Sequence, residues 1–277
     1  MTHRRLGAAT YGFLYSHSLP DALRALAEAG VHDVELTAAA PHVEDGVLAP
    51  RDAAALRRLV GELGVRLVSL NPTYLDLNLA SLNRGIREES VRQLLAALRL
   101  CHDLEAERLV LFGGRRHVLL PAPMERVEPV LLDGLATLAA EAERLGVTIG
   151  LENGPTLLLE RGRDVARVLE TVGHPRLRAV FDVANAWMVE EPAAGIEPLL
   201  DRLCLLHLSD TTRARWAHAP VGEGTVPFAA FAERLALAGG DEPSILEVIE
   251  MGDPLGGIRR SIDRLEPLGW ATSAPWR

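Results

Sequence analysis

The strongest constraint on the fold is an alternation that runs from one end of the chain to the other. Short apolar runs of strand length change places with longer segments in which Leu and Ala recur at helical spacing. Strands are predicted over 5–10, 31–36, 66–70, 108–112, 147–152, 178–182, 203–207 and 244–248. Helices are predicted over 21–30, 51–64, 84–105, 124–146, 162–172, 195–202, 227–239 and 255–267, several of them stopped by glycine, as at Gly30, Gly64 and Gly146. Strict alternation requires parallel strands joined by right-handed crossovers, and an eight-fold count favours closure. We therefore expect an α/β protein, one (β/α)8 TIM barrel over 1–277, with 272–277 as a C-terminal appendage. The length of 277 residues suits such a barrel, which needs about 250. An open dinucleotide-binding sheet is disfavoured, because no Gly-x-Gly-x-x-Gly turn follows a strand.

Composition narrows the partners. Hydrophobic residues make up 48% of the chain but aromatic ones only 4%, so Leu, Val and Ala must fill the core. A net charge of −9 argues against a general nucleic-acid surface, which needs an Arg/Lys excess to displace phosphate counterions. Cys101, in a helical run, and Cys204, in an apolar strand, read as buried thiols, which fits a reducing cytosol. No apolar run of signal-peptide length follows the basic N-terminus, and nowhere do about 18 uncharged apolar residues occur together. The expectation is a cytoplasmic protein without membrane contact. A homo-oligomer is left open.

Chemistry gathers where strands end. The run 203–208 is apolar except for His207 and is followed by Asp210 and Arg213. The runs 147–152, 178–182 and 244–248 deliver Glu152, Asp182 and Glu247 in the same way. In a barrel these four ends are neighbours around the mouth. One imidazole and three carboxylates form a donor set that suits a divalent ion (Mn, Mg, Co or Zn) with room for substrate. Glu250 competes with Glu247 but precedes a Gly252-Asp253-Pro254 turn, which favours Glu247. Glu35 is a candidate for a supporting carboxylate inside the mouth. His42 reads as loop structure and Arg115-Arg116-His117 as a solvated charge run.

Gly150-Leu151-Glu152-Asn153, Phe181-Asp182-Val183-Ala184-Asn185, His207-Leu208-Ser209-Asp210 and the stretch from His218 to Val226 resemble the xylose isomerase-like barrel superfamily. That group holds sugar isomerases and epimerases, inosose and hydroxypyruvate isomerases, and apurinic endonuclease IV enzymes. The resemblance to its ketose 3-epimerases implies metal ligation by Glu152, Asp182, His207 and Glu247, with Arg213 on the substrate. Two positions depart from that pattern: Asn185 stands where those enzymes carry His, and Leu158 where they carry a second Glu. The endonuclease branch fits poorly. Asn71, Gly113 and Asn185 replace three of its metal-binding histidines, and Trp216 replaces an aspartate that partners the position of His218.

The expected activity is proton transfer on a small sugar, keto-sugar, inosose or sugar phosphate, through a metal-stabilised enediolate. Glu152 and Glu247 would be the catalytic pair, one removing the α-proton and the other returning it. Arg213, Asn185 and His218 are the expected substrate contacts. The same chemistry with a leaving group β to the carbanion gives a lyase or dehydratase as the alternative, and a non-catalytic sugar-binding or accessory subunit is the third reading.

Overall fold

The computed structural model describes residues 3–43, 48–72, 76–117 and 119–276. Residues 73–75, in the turn-rich loop that begins at Asn71-Pro72, lie outside the described residues. Eight parallel strands close into a barrel: Arg4–Ala9, Asp33–Thr37, Arg66–Asn71, Arg108–Phe112, Thr148–Glu152, Leu177–Asp182, Leu203–Leu208 and Ser244–Leu246. Closure is direct, since Leu6, Gly7 and Ala8 of the first strand pair with Ser244, Ile245 and Leu246 of the eighth. Helices cover the outside, and their buried Leu and Val residues share one large cluster with the outward face of the strands. A separate, smaller cluster (Ala9, Val68, Val110, Val180, Cys204, Leu205 and Ile245) is drawn from the strands alone. Cys101 and Cys204 are both buried free thiols.

The period of a strand is what aims the site. Side chains alternate between faces, so a residue two positions past an inward-facing one points inward again, one layer higher. Val180 leads in this way to Asp182, Leu205 to His207 and Ile245 to Glu247. Gly150 leads to Glu152, and a Cβ at Gly150 would run into Val180 on the adjacent strand.

Several elements differ from the sequence-based expectation. The helix predicted over 195–202 is instead a short turn, Pro192–Gly195, followed by a 3-10 segment, Glu197–Arg202. Pro192 and Pro198 each open a new turn, because proline cannot donate the bond that would continue an existing one. A five-residue helix, Val183–Trp187, follows the sixth strand directly. The stretch between the predicted strand 203–207 and the predicted helix 227–239 contains an antiparallel hairpin, Asp210–Thr212 with Arg215–Ala219.

The C-terminal segment is not an appendage. Trp270–Thr272 pairs in parallel with the start of the first strand, and the indole of Trp270 is fully buried and donates to Ser244 Oγ at 2.9 Å. Ser273 Oγ donates to Asp33 at 2.7 Å, the Trp276 amide donates to the Gly64 carbonyl at 2.8 Å, and the Arg66 guanidinium lies 4.9 Å over the Trp276 ring. All of these partners lie at strand beginnings, the end of the barrel opposite the mouth.

Candidate active site

Glu152, Asp182, His207 and Glu247 converge as the strand alternation predicts. Register does most of the work: Asp182 pairs directly with His207, and Ile245, two residues before Glu247, pairs with His207 on its other side. Each of the four offers one ligand atom, these atoms all lie within 4.8 Å of one another, and every side chain is buried. Glu250 is elsewhere, bonded to Arg260 at 2.7 Å.

The hydrogen bonds inside this group define its chemistry. His207 Nε2 lies 2.9 Å from Glu35 Oε2, while its Nδ1 faces Glu152 Oε1 at 3.1 Å and Glu247 Oε2 at 3.8 Å. Glu35 is itself fixed, accepting from Ser69 Oγ at 2.6 Å and from Asn71 Nδ2 at 3.1 Å. The same Asn71 amide reaches Glu247 Oε1 at 3.1 Å. Glu152 Oε2 and Asp182 Oδ2 are buried without any hydrogen-bond partner. A buried carboxylate oxygen left bare is costly, and a divalent cation is the partner that satisfies several such oxygens together. The donor set of three carboxylates and one imidazole fits that role.

Proton affinities show the strain of this crowding. Burial pushes the Glu152 carboxyl up to about 8 against the opposing attraction of His207. It lifts Asp182 to about 6 against the opposing attraction of His218. Burial works to raise Glu247 too, but His207 and His218 outweigh it and the group is held below the usual carboxylate range. Both imidazoles are raised despite burial: His207 well above its ordinary value by Glu35, Glu152 and Glu247, and His218 to about 9 by Glu247 and Asp182.

The hairpin supplies the site's outer wall. Asp210 anchors it by accepting the backbone N–H of Thr211 (2.9 Å), Gly222 (2.8 Å) and Val226 (3.0 Å). Trp216 and His218 then share one face of its second strand. His218 Nδ1 sits 3.1 Å from Glu247 Oε2, 3.1 Å from Ser209 Oγ and 3.9 Å from Asp182 Oδ2, so this expected substrate residue is brought to the ligand group. Asn185 is also brought there, but its amide is engaged. Nδ2 donates to the Asn153 carbonyl at 3.0 Å and lies 3.5 Å from Glu152 Oε1, while Oδ1 accepts from Trp216 Nε1 at 2.8 Å.

Arg213 is not brought in: at the hairpin turn it stacks 3.8 Å over Trp187 and bonds to Glu191 at 2.5 Å. His42 Nε2 bonds to the His17 carbonyl at 2.9 Å. His117 Nδ1 accepts from the amides of Leu119 and Leu120, a local loop contact.

A cavity of about 340 Å³ opens over the group, with Glu247, His218, Asn71 and Asn185 among its polar lining. Tyr11, Phe112, Trp216 and Ile249 also line it. None of those four was singled out from the sequence as a site residue. Tyr11 and Phe112 carry a readable signal, since each falls at or just past a strand end.

A closed barrel with a buried carboxylate and histidine cluster at the carboxyl ends of its strands has the layout in which barrel enzymes carry their chemistry. The sequence profile of the xylose isomerase-like TIM barrel family matches residues 23–268, and the chain belongs to that family. It is 25% identical over 247 residues to an uncharacterized protein of Methanocaldococcus jannaschii, covering 86% of this chain and 81% of that one.

Among solved structures, a D-tagatose 3-epimerase-like protein superposes with a TM-score of 0.84 at 22% identity, covering 95% of this chain and 98% of that one. The 3-keto-D-glucoside 4-epimerase of E. coli does so at 0.80 and 18% identity, covering 95% and 99%. The D-psicose 3-epimerase of Clostridium cellulolyticum gives 0.80 at 15% identity, covering 96% and 100%. At these identities the likeness is one of fold. Among the described residues, no helix is long and apolar enough to cross a membrane.

Proposed function

We propose that this chain is a divalent-metal-dependent isomerase or epimerase acting on a small sugar, keto-sugar, inosose or sugar phosphate. The observation that carries the reading is that Glu152 and Glu247 share one buried ligand group with Asp182 and His207, while Glu152 Oε2 and Asp182 Oδ2 have no hydrogen-bond partner. Two structural neighbours whose names identify them as sugar epimerases, one of keto-glucosides and one of psicose, support the substrate class. The chain contains no lysine, so no side chain can activate a carbonyl as a Schiff base, and that task would fall to the ion.

When bound, the ion would polarise the substrate carbonyl and stabilise the enediolate. Asp182 and His207 would mainly hold it, with Glu152 and Glu247 as the other two ligands. Glu152 and Glu247, flanking His207, move the α-proton: one accepts it and the other delivers a proton to the opposite face for epimerisation, or to the neighbouring carbon for isomerisation. His218 presents its imidazole to the cavity beside Glu247, placed to hold a substrate hydroxyl.

The test is α-proton exchange in D₂O, followed by NMR, with metal-loaded protein and a panel of ketoses, ketose phosphates and inososes. Exchange that is abolished in both Glu152→Gln and Glu247→Gln, with folding retained, supports the reading. Undiminished exchange in the double variant removes it. New ultraviolet absorbance from an unsaturated product would move the assignment to a lyase.

A further inference from the structure

We infer that Trp216 is a binding platform for a substrate in ring form, so that the enzyme acts on a ring-locked polyhydroxy ketone rather than an open-chain ketose. The inference rests on the proposed function above and narrows its substrate class.

The cavity is chemically divided. Asn71, Asn185, His218 and Glu247 gather beside the ligand group, Tyr11, Phe112, Trp216 and Ile249 supply aromatic and aliphatic wall, and Arg215 adds one charged residue next to Trp216. An extended ketose carries a hydroxyl on almost every carbon, so laying it along such walls buries hydroxyls that find no partner, which is costly. A six-membered polyol ring differs, because its C–H face is apolar and its oxygens lie around its edge. It can set that face on an indole while directing a ketone and adjacent hydroxyl toward the polar end. A volume of about 340 Å³ is at the lower end for a ligand site and suits one small molecule.

The indole is held for this purpose. Trp216 is 38% exposed, yet its Nε1–H is committed to Asn185 Oδ1 at 2.8 Å, and its strand is tied down through Thr211 Oγ1, which donates to the Arg215 carbonyl at 2.7 Å and accepts from the Ala217 amide at 2.9 Å. A large aromatic that is solvent-accessible and immobilised beside polar groups marks a contact surface. The bond also gives Asn185 a purpose. This is one of the two positions at which the chain departs from the ketose 3-epimerase pattern, and the side chain found there orients the platform while its other end braces Asn153 and Glu152. Asn185 is thus a positioning residue, and Trp216 the group that touches substrate.

The experiment compares two ring-locked ketones, scyllo-inosose and a methyl 3-keto-glucopyranoside, with two ketoses that cannot close a stable ring, L-erythrulose and D-ribulose 5-phosphate. Dissociation constants are measured by calorimetry on metal-loaded protein, and α-proton exchange is followed in parallel. We expect the ring-locked compounds to bind at least tenfold more tightly. Trp216→Ala should reduce that ring-over-chain ratio by about tenfold, and Trp216→Phe should restore most of it. Unchanged metal content and circular dichroism show that the variants fold. Tighter binding of the open-chain ketoses by the wild type, or equal weakening of both classes in Trp216→Ala, overturns the inference even where exchange confirms an isomerase. Ring-selective, Trp216-dependent binding without exchange on any compound supports the platform and defeats the proposed reaction instead.

Discussion

His207 Nε2 lies 2.9 Å from Oε2 of Glu35, a carboxylate from the second barrel strand that is fully buried and outside the ligand group. In the metal-bound form, with the Nε2 proton donated to Glu35, Nδ1 would turn its lone pair toward the oxygens of Glu152 and Glu247; without metal a proton stays there, because these carboxylates raise His207 well above its ordinary value. Acceptors facing each other at such distances repel unless a proton or a cation lies between them. Glu35 therefore selects the His207 tautomer that lets four strand ends form a cation site, the arrangement by which carboxylates orient metal-binding histidines.

Glu35→Gln should leave the barrel folded and weaken Mn²⁺ binding by about 10- to 100-fold, the usual cost of removing a partner behind a ligand. Calorimetric titration of metal-stripped protein reads this directly. Unchanged affinity would mean that Glu35 is only a satisfied core carboxylate.

Stability of the metal-free protein should fall as pH rises from about 6.5 to 9. Glu152 is raised to about 8 and His218 to about 9, so the folded state holds more protons than the unfolded chain across this window. The His218 contribution is complete below its unfolded value and is lost as pH passes about 9. That of Glu152 is greatest below the unfolded carboxylate value and is lost through about 8. Metal takes the place of these protons, so its affinity should rise with pH over the same range and binding should release protons. Melting curves with and without Mn²⁺ at several pH values check both signs.

Gly224→Ala should separate the hairpin from the metal site. A Cβ there would meet Asp210 Oδ1 and the backbone of Thr211, which have no flexible end to move aside. We expect a cost of about 1–3 kcal/mol, typical of overpacking. Substrate affinity should drop by more than metal affinity, because Trp216 and His218 ride on the hairpin while none of the four metal ligands does. Equal losses in both titrations would contradict this division.

Trp276→Ala should cost about 0.5–1 kcal/mol in a denaturant melt, the scale of an exposed cation–π contact with Arg66. Metal affinity should not change, since Trp276 lies at the opposite end of the barrel. A change there would link the tail to the mouth.

What could be read from the sequence follows the physics that is local in sequence. Strand period and strand ends are local, so the barrel and the convergence of Glu152, Asp182, His207 and Glu247 were legible before any coordinates. The pairing of Glu35 with His207 spans 172 positions, and only its eligibility could be seen. The hairpin was hidden because its strands are short, three and five residues, and are fixed by one aspartate instead of a periodic apolar face. Trp216 looked like the loss of a metal ligand, whereas the fold uses it as wall. Arg213 was expected at the substrate from the resemblance to ketose 3-epimerases, but the hairpin turn directs it outward to Trp187 and Glu191. The C-terminal segment gave no sign of packing because its partners, Ser244, Asp33 and Gly64, are scattered along the chain.

The most direct test of the account is the metal stoichiometry of the purified protein, measured by elemental analysis alongside an Asp182→Asn, His207→Asn double variant. One divalent ion per chain in the wild type, absent from the variant, is the predicted result. A wild-type protein that binds no divalent ion when one is supplied, or a variant that retains it, would contradict the claim that these four strand ends form a metal site.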